Sequence, residues 1–429
     1  MLRYGLSAIA LALGMVAFGS AAETPAPAPR LKAEFFVRDA FMSPPQVSPD
    51  GTRLAWIRGD HLVIFDLEEE TEKQVAGTDS LESVQWINND YLIVYLKSEE
   101  RQNNTFVSEL QYSPLVVSRD GQFLRVLFER DGKKLTATDL KPIIRFIDGP
   151  KPYVITMGGN NTYTTDVATG KTKVGPRLME GQVYSFDREG RERVSAEVID
   201  GKISYGISSI LFRYKATPGG KTQSLRLPEQ DNIYYTDYDY AEFENAIYWS
   251  QFDYGKSESA IYRFDMTTGE KTVVRTGPEK ELSLAFDREG RVVGIATLTD
   301  RVRTQWTDPY RLKLTAAVEK IFPKATVTIT DITSDGKHVV LLVSAPEEPD
   351  AYYYYSQEYK DLSQVGVNYP ELLGKPLGNM TYITYKARDG LEIPAYVTKR
   401  ADTPAGAPLI VMPHGGPAAR DLYGFDPLA

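Results

Sequence analysis

No cysteine occurs in the 429 residues, which excludes disulfides, thiolate metal sites, a cysteine nucleophile and a lipid-modified cysteine after a leader. Histidine is nearly as scarce. His61, His338 and His414 are the three copies, and no two of them have metal-ligand spacing. Basic excess is also lacking: the formal net charge is −9 with no block of like charges, so the electropositive face that nucleic-acid binding needs is missing. Past the N-terminus, no apolar run approaches the ~20 residues that span a bilayer. Helical periodicity is almost absent. No Gly-x-Ser-x-Gly elbow occurs either; the nearest approach, Gly206-Ile-Ser-Ser-Ile210, lacks the second glycine, so these residues hold no nucleophilic serine of that type.

Residues 1–22 have the three parts of a secretory signal peptide: Arg3 in a short basic start, an apolar run from Leu6 to Phe18, and small residues at Ser20-Ala21-Ala22. Cleavage is expected after Ala22, with no stable membrane insertion afterwards. Secretion without disulfides suits a bacterial periplasm, so the expected location is periplasmic or secreted. Residues 23–34, with Thr24-Pro-Ala-Pro-Ala-Pro29, read as a stiff Pro/Ala-rich tether.

From 35 to 381 the chain reads as many short strands rich in Val, Ile, Tyr, Phe and Thr. Polar turns separate them: Ser48-Pro-Asp-Gly51, Ser118-Arg-Asp-Gly121, Asp187-Arg-Glu-Gly190, Asp287-Arg-Glu-Gly290 and Ser334-Asp-Gly336. A second turn type appears at Thr165-Asp-Val-Ala-Thr-Gly-Lys-Thr172 and Phe264-Asp-Met-Thr-Thr-Gly-Glu-Lys271, with a degenerate copy at Phe65–Thr71. Asp166 precedes Asp187 by 21 residues and Asp265 precedes Asp287 by 22. The two pairs are offset by about a hundred residues, which is two units of a 40–50-residue repeat. Such units arranged around an axis make a β-propeller, and the span accommodates about seven blades. A pair of β-sandwiches or a solenoid is the alternative. One helical passage, Asp308 to Pro323, carries Leu312, Leu314, Val318, Ile321 and Phe322 as a possible apolar face and reads as a surface insertion.

Residues 382–429 change character. Tyr382–Ala387, an Asp389-Gly390 turn and Ile393–Lys399 read as two strands; a polar loop at 401–407 then leads to the apolar run Leu409–Met412, expected as a buried strand. It runs into His414-Gly415-Gly416-Pro417. Two glycines after a buried strand let a backbone N–H point into a cavity, as an oxyanion hole requires. Gly416 is the first choice for that donor and Gly415 the second; an ordinary strand-ending loop is the other reading.

The runs Ala387–Tyr396, Pro408–Pro417, Ala419-Arg420-Asp421 and Gly424–Pro427 resemble the start of the catalytic domain in the prolyl oligopeptidase family of serine peptidases, in its bacterial secreted acylaminoacyl-peptidase and dipeptidyl-peptidase-like branch. The resemblance implies a mainly β chain: an N-terminal β-propeller at 35–381, then the first strands of a truncated α/β-hydrolase domain at 382–429. It also implies supporting roles in the turn for His414, Pro417 and Arg420, Arg420 either pairing with a carboxylate or lying solvated. The Ser, Asp and His of the family's triad fall later and have no counterpart here. As written, therefore, the chain is expected to be an inactive N-terminal portion of a secreted serine peptidase that hydrolyses short peptides. The alternative is a non-catalytic secreted propeller that binds a protein or peptide.

Other candidates carry less chemistry. Tyr234, Tyr235, Tyr238, Tyr240 and Trp249 either line a peptide channel or fill between blades. Glu242 and Glu244 are possible partners for a peptide amine, Asp421 and Asp426 read as loop-forming, and Asp237-Tyr-Asp239 lacks the Gly and Glu of a calcium loop. No cofactor or metal is expected.

Overall fold

The computed structural model describes residues 3–4, 31–36, 40–76, 81–101, 108–127, 129–130, 133–134, 145–147, 151–198, 209–230, 232–278, 281–415 and 420–428. The alternating apolar runs pair as antiparallel meanders, and seven blades stand among these residues, at 46–76, 81–126, 145–177, 183–227, 233–277, 281–306 and 326–367. Seven is the number read from the spacing of the turns. Within each blade consecutive strands, here called a to d, are hydrogen-bonded in chain order. The a–b and c–d turns therefore share one end of each blade, and the b–c turns share the other.

The hundred-residue offset is indeed two blades. Asp187-Arg-Glu-Gly190 joins strands a and b of blade four, and Asp287-Arg-Glu-Gly290 does the same in blade six; the Thr-Gly turns after Asp166 and Asp265 join strands c and d of blades three and five. Ser118-Arg-Asp-Gly121 differs from its look-alikes, because it joins c to d in blade two. In blade four the Gly190 N–H donates to the Asp187 carbonyl at 2.9 Å with φ at 75°, a left-handed geometry that favours glycine. The Asp187 carboxylate accepts from the Arg191 N–H and Nε, each at 2.8 Å, and Asp287 holds Arg291 at 2.8 and 2.7 Å. The second residue of each motif reaches the next blade. Arg188 donates to Glu242 at 3.2 Å, and Arg288 grips Asp331 through Nε at 3.0 Å and Nη2 at 2.5 Å.

Among the described residues no strand is shared between blades one and seven, so side chains close the ring. Val47, Leu54, Trp56 and Val63 of blade one pack against Val340, Tyr352 and Tyr354 of blade seven. Each large apolar side chain fully buried there contributes about 1.5–3 kcal/mol relative to exposure. At this seam Asp331 accepts the Val47 N–H at 2.7 Å, while Arg288 also donates to the Val47 carbonyl at 2.8 Å. One carboxylate thus ties blades six, seven and one.

Blade six has three strands. Helix α1 (Pro309–Ile321) follows its third strand, Val302–Trp306, where the other blades place a fourth. Asp308 caps α1 by accepting the Arg311 N–H at 2.7 Å. The expected apolar face is only partly right. Leu314 and Val318 are buried with Tyr310 and Phe322 against blade seven, whereas Leu312 and Ile321 are more than half exposed. Tyr310, Leu314, Val318 and Phe322 recur every four residues, so one narrow stripe meets the sheet; Leu312 turns to the opposite side, and Ile321 stays exposed at the last residue of the helix.

The ring gives way to a connector with a short 3-10 turn, Pro370–Leu372, and then to the hairpin Asn379–Lys386 and Glu392–Lys399. The expected change of pattern at 381/382 falls inside the first of these strands. Of the expected leader and tether, 1–2 and 5–30 lie outside the described residues; Arg3–Tyr4 forms a two-residue strand against Leu362 and Ser363 of blade seven. Among the described residues no helix is long and apolar enough to cross a membrane.

Candidate active-site turn and its anchorage

The hairpin leads toward the candidate turn. Its register sets Tyr382 opposite Tyr396, and its tip closes with the Gly390 N–H on the Ala387 carbonyl at 3.0 Å. After it, Arg400 holds Asp402 with two bonds of 2.9 and 2.8 Å in the polar loop. The next segment departs from expectation. Leu409–Met412 form no strand, and Leu409, Ile410, Val411 and Met412 are 81%, 81%, 75% and 52% exposed. A buried strand needs neighbours on both edges and cover on both faces, and none of the described residues supplies them.

His414 is exposed, and its Nδ1 lies 2.8 Å from the Gly415 carbonyl. A carbonyl only accepts, so the imidazole proton in this bond sits on Nδ1. A Cβ added to Gly415 would meet nothing within 4 Å, so crowding does not demand glycine there. Gly416 and Pro417 lie outside the described residues. No hydroxyl nucleophile is held against His414 among the described residues. The segment thus offers an imidazole and a backbone turn, without a group to attack a carbonyl.

Both flanks of this segment are fixed to the b–c turn of blade six. The Tyr396 hydroxyl donates to the Asp300 carbonyl, and Arg420 Nη2 donates to the Thr299 carbonyl at 2.5 Å. Arg420 therefore meets a carbonyl instead of the carboxylate considered for it: the nearby carboxylate, Asp300, is already taken. It accepts from Thr299 Oγ1 at 3.0 Å, Arg301 Nε at 3.2 Å and Arg303 Nη2 at 3.1 Å. These bonds, that to Arg303 foremost, hold its carboxyl well below the usual range. Arg301 in turn covers the Tyr423 ring at 3.9 Å. Blade seven adds a second anchor: the Phe425 N–H donates to Ser344 Oγ at 3.2 Å, and the Phe425 ring lies 5.1 Å from that of Tyr369. Asp421 is exposed, and Asp426 accepts the Leu428 N–H at 2.8 Å.

The remaining candidates disperse. Tyr235 and Trp249 are buried in the core between blades four and five, with Tyr238 and Tyr240 packed against it; they fill between blades. Tyr234 meets Tyr254 edge-on at 5.1 Å. Glu242 is occupied by Arg145 at 3.3 Å and Arg188 at 3.2 Å, and Glu244 by Arg263 at 3.3 Å and the Tyr248 hydroxyl, so both acids are already neutralised. On the first strand of blade five, Ile233–Ala241, burial and the neighbouring Asp237 push the Asp239 carboxyl up to about 6. His61 pairs with Asp60, and His338 Nδ1 lies 2.6 Å from the Tyr354 hydroxyl at the blade-seven to blade-one seam. Sequence reasoning missed Thr299, Asp300, Tyr396 and Tyr423, which lie far apart in the chain and meet only in the folded state.

No family model matches the chain. It is 30% identical over 175 residues to a dipeptidyl aminopeptidase BIII of Pseudoxanthomonas mexicana, covering 38% of this chain and 25% of that protein. It is 27% identical over 128 residues to a dipeptidyl peptidase family member 6 of Caenorhabditis elegans, covering 25% and 17%. A puromycin-hydrolyzing peptidase of Mycobacterium tuberculosis shares the fold with a TM-score of 0.55 at 14% identity, over 93% of this chain and 65% of that one. A puromycin hydrolase variant does so at 0.51 and 12%, over 92% and 65%. The match thus spans a quarter or less of the curated relatives' length.

Proposed function

From homologues that are dipeptidyl aminopeptidases, and the propeller fold of prolyl oligopeptidase-family peptidases, we propose that this chain is the N-terminal portion of a secreted serine peptidase acting on short peptides. The carrying observation is the order of parts. A seven-bladed ring leads directly into a hairpin and a glycine-rich turn, and that turn is flanked by contacts to the b–c end of the ring. In this reading the reaction is acyl transfer to water at a peptide carbonyl, and a backbone N–H of Gly416, or of Gly415, faces the developing oxyanion. The ring restricts access to short or unfolded peptides. Serine, aspartate and histidine of the triad come from residues other than these.

Two measurements test it. Purified 1–429 should show no turnover of chromogenic dipeptide substrates above a control from a peptidase-deficient host, since a missing triad leaves only residual rate. The nucleotides after codon 429, or an adjoining frame, should encode a Gly-x-Ser-x-Gly elbow. A stop codon there, with a stable soluble product, favours the non-catalytic peptide-binding propeller instead. Export belongs to the same proposal: N-terminal sequencing of the periplasmic protein should begin at Glu23.

A further inference from the structure

We infer that the blade-six turn Thr299–Asp300–Arg301 is the seat that positions the His414–Gly415 turn, and that Arg420 is its positioning residue. Only the purpose of this arrangement rests on the peptidase reading; the geometry stands without it. Residues 400–415 form no strand, and a flexible segment of that length wanders over an r.m.s. span of about 20 Å. An oxyanion donor must be held to about 0.5 Å. Fixing the chain on both sides of it to adjacent carbonyls restricts that freedom. Tyr396 takes the carbonyl of Asp300 before the turn, and Arg420 takes the carbonyl of Thr299 after it.

The seat is tied together by its own residues. Asp300 gathers Thr299, Arg301 and Arg303 on its carboxylate, which fixes the turn and leaves the carbonyls of residues 299 and 300 aimed outward. Arg301, held by Asp300, then presents its guanidinium face to Tyr423, three residues beyond Arg420. Arg420 Nη2 supplies a charge-assisted bond at 2.5 Å. A lysine at the same place keeps one donor and the charge, so it should restore part of the effect; alanine restores none.

The absence of cysteine makes the test direct. Nitroxide labels at Leu409→Cys and at Lys173→Cys on the outer strand of blade three report the distance between the segment and the ring by double electron–electron resonance. The parent should give one narrow distance distribution, Arg420→Ala should broaden it at least twofold, and Arg420→Lys should recover part of the narrowing. Tyr396→Phe, which removes a single hydroxyl, should broaden it less than Arg420→Ala. The ring's melting temperature should stay unchanged in all of them. A distribution equally narrow in Arg420→Ala, or already broad in the parent, overturns the assignment. So does a melting temperature that falls with the broadening, because Arg420 would then stabilise the ring instead of placing the turn. Failure of the oxyanion reading shows separately, as the absence of a nucleophile elbow beyond codon 429, and leaves these distances untouched.

Discussion

Asp331 and Glu242 receive arginines from equivalent turns, yet they sit in unequal surroundings. Asp331 is 8% exposed and accepts from both Arg288 and the Val47 N–H. Asp331→Ala strands a guanidinium and a backbone donor at the seam and should lower stability by about 2–3 kcal/mol, read as a shifted urea midpoint at constant slope. Arg188 is 52% exposed, so Arg188→Ala should cost under about 1 kcal/mol. Two titrations should have opposite signs. Burial lowers the His338 pKa against the pull of Asp335, Glu358 and Asp50, with Lys337 reinforcing the lowering. The native state therefore resists a proton that the unfolded chain accepts, and stability should fall as pH drops below about 6.5; His338→Gln should flatten that acid limb in a urea series. Asp239 is raised to about 6, so the unfolded chain ionises first. Its contribution is lost as pH rises from about 4 through 6, and Asp239→Asn should gain stability over the parent at pH 7 relative to pH 4. Neither carboxylate setting was readable from sequence, because burial and cross-blade partners are products of the ring.

At the scale of elements, turns were the most legible feature. Gly190 and Gly290 are needed locally for their positive φ, so their motif survives in the letters; which strands a turn joins is not local, and Ser118-Arg-Asp-Gly121 was therefore indistinguishable from its a–b look-alikes. Helix α1 was visible through Asp308-Pro309 and its spacing, while the choice of face depended on blade seven. Leu314→Ala should cost about 2–4 kcal/mol in chemical unfolding and Leu312→Ala almost nothing; Asp308→Ala should cost about 1 kcal/mol through the lost cap. The run Leu409–Met412 has strand composition without a strand's neighbours. Its pairing is a property of a sheet, which four apolar letters cannot supply. With those side chains 52–81% exposed, Ile410→Asp with Val411→Asp should raise solubility and leave the melting curve of the ring in place.

For the molecule as a whole, repetition made the architecture readable: two motif pairs a hundred residues apart pointed to a 40–50-residue unit, and dividing the span by that unit gave about seven blades. The candidate site was less readable. His414 and Gly415 stood out as letters, whereas the seat at Thr299–Arg301 is separated from Arg420 by more than a hundred positions and carries no motif. The ring closure has a further implication. Since the blade strands of 46–367 follow one another in chain order and none of them pairs into a second blade, the Arg3–Tyr4 pair on the edge of blade seven aside, the order in which the blades are translated is not written into their packing. Residues 46 and 367 flank one seam, and that seam resembles the other six in being a contact of side-chain faces. Covalently joining those positions and reopening the chain at 178–182, between blades three and four, should give a circular permutant with the same ring: the place where this propeller starts is a phase, not a structural origin.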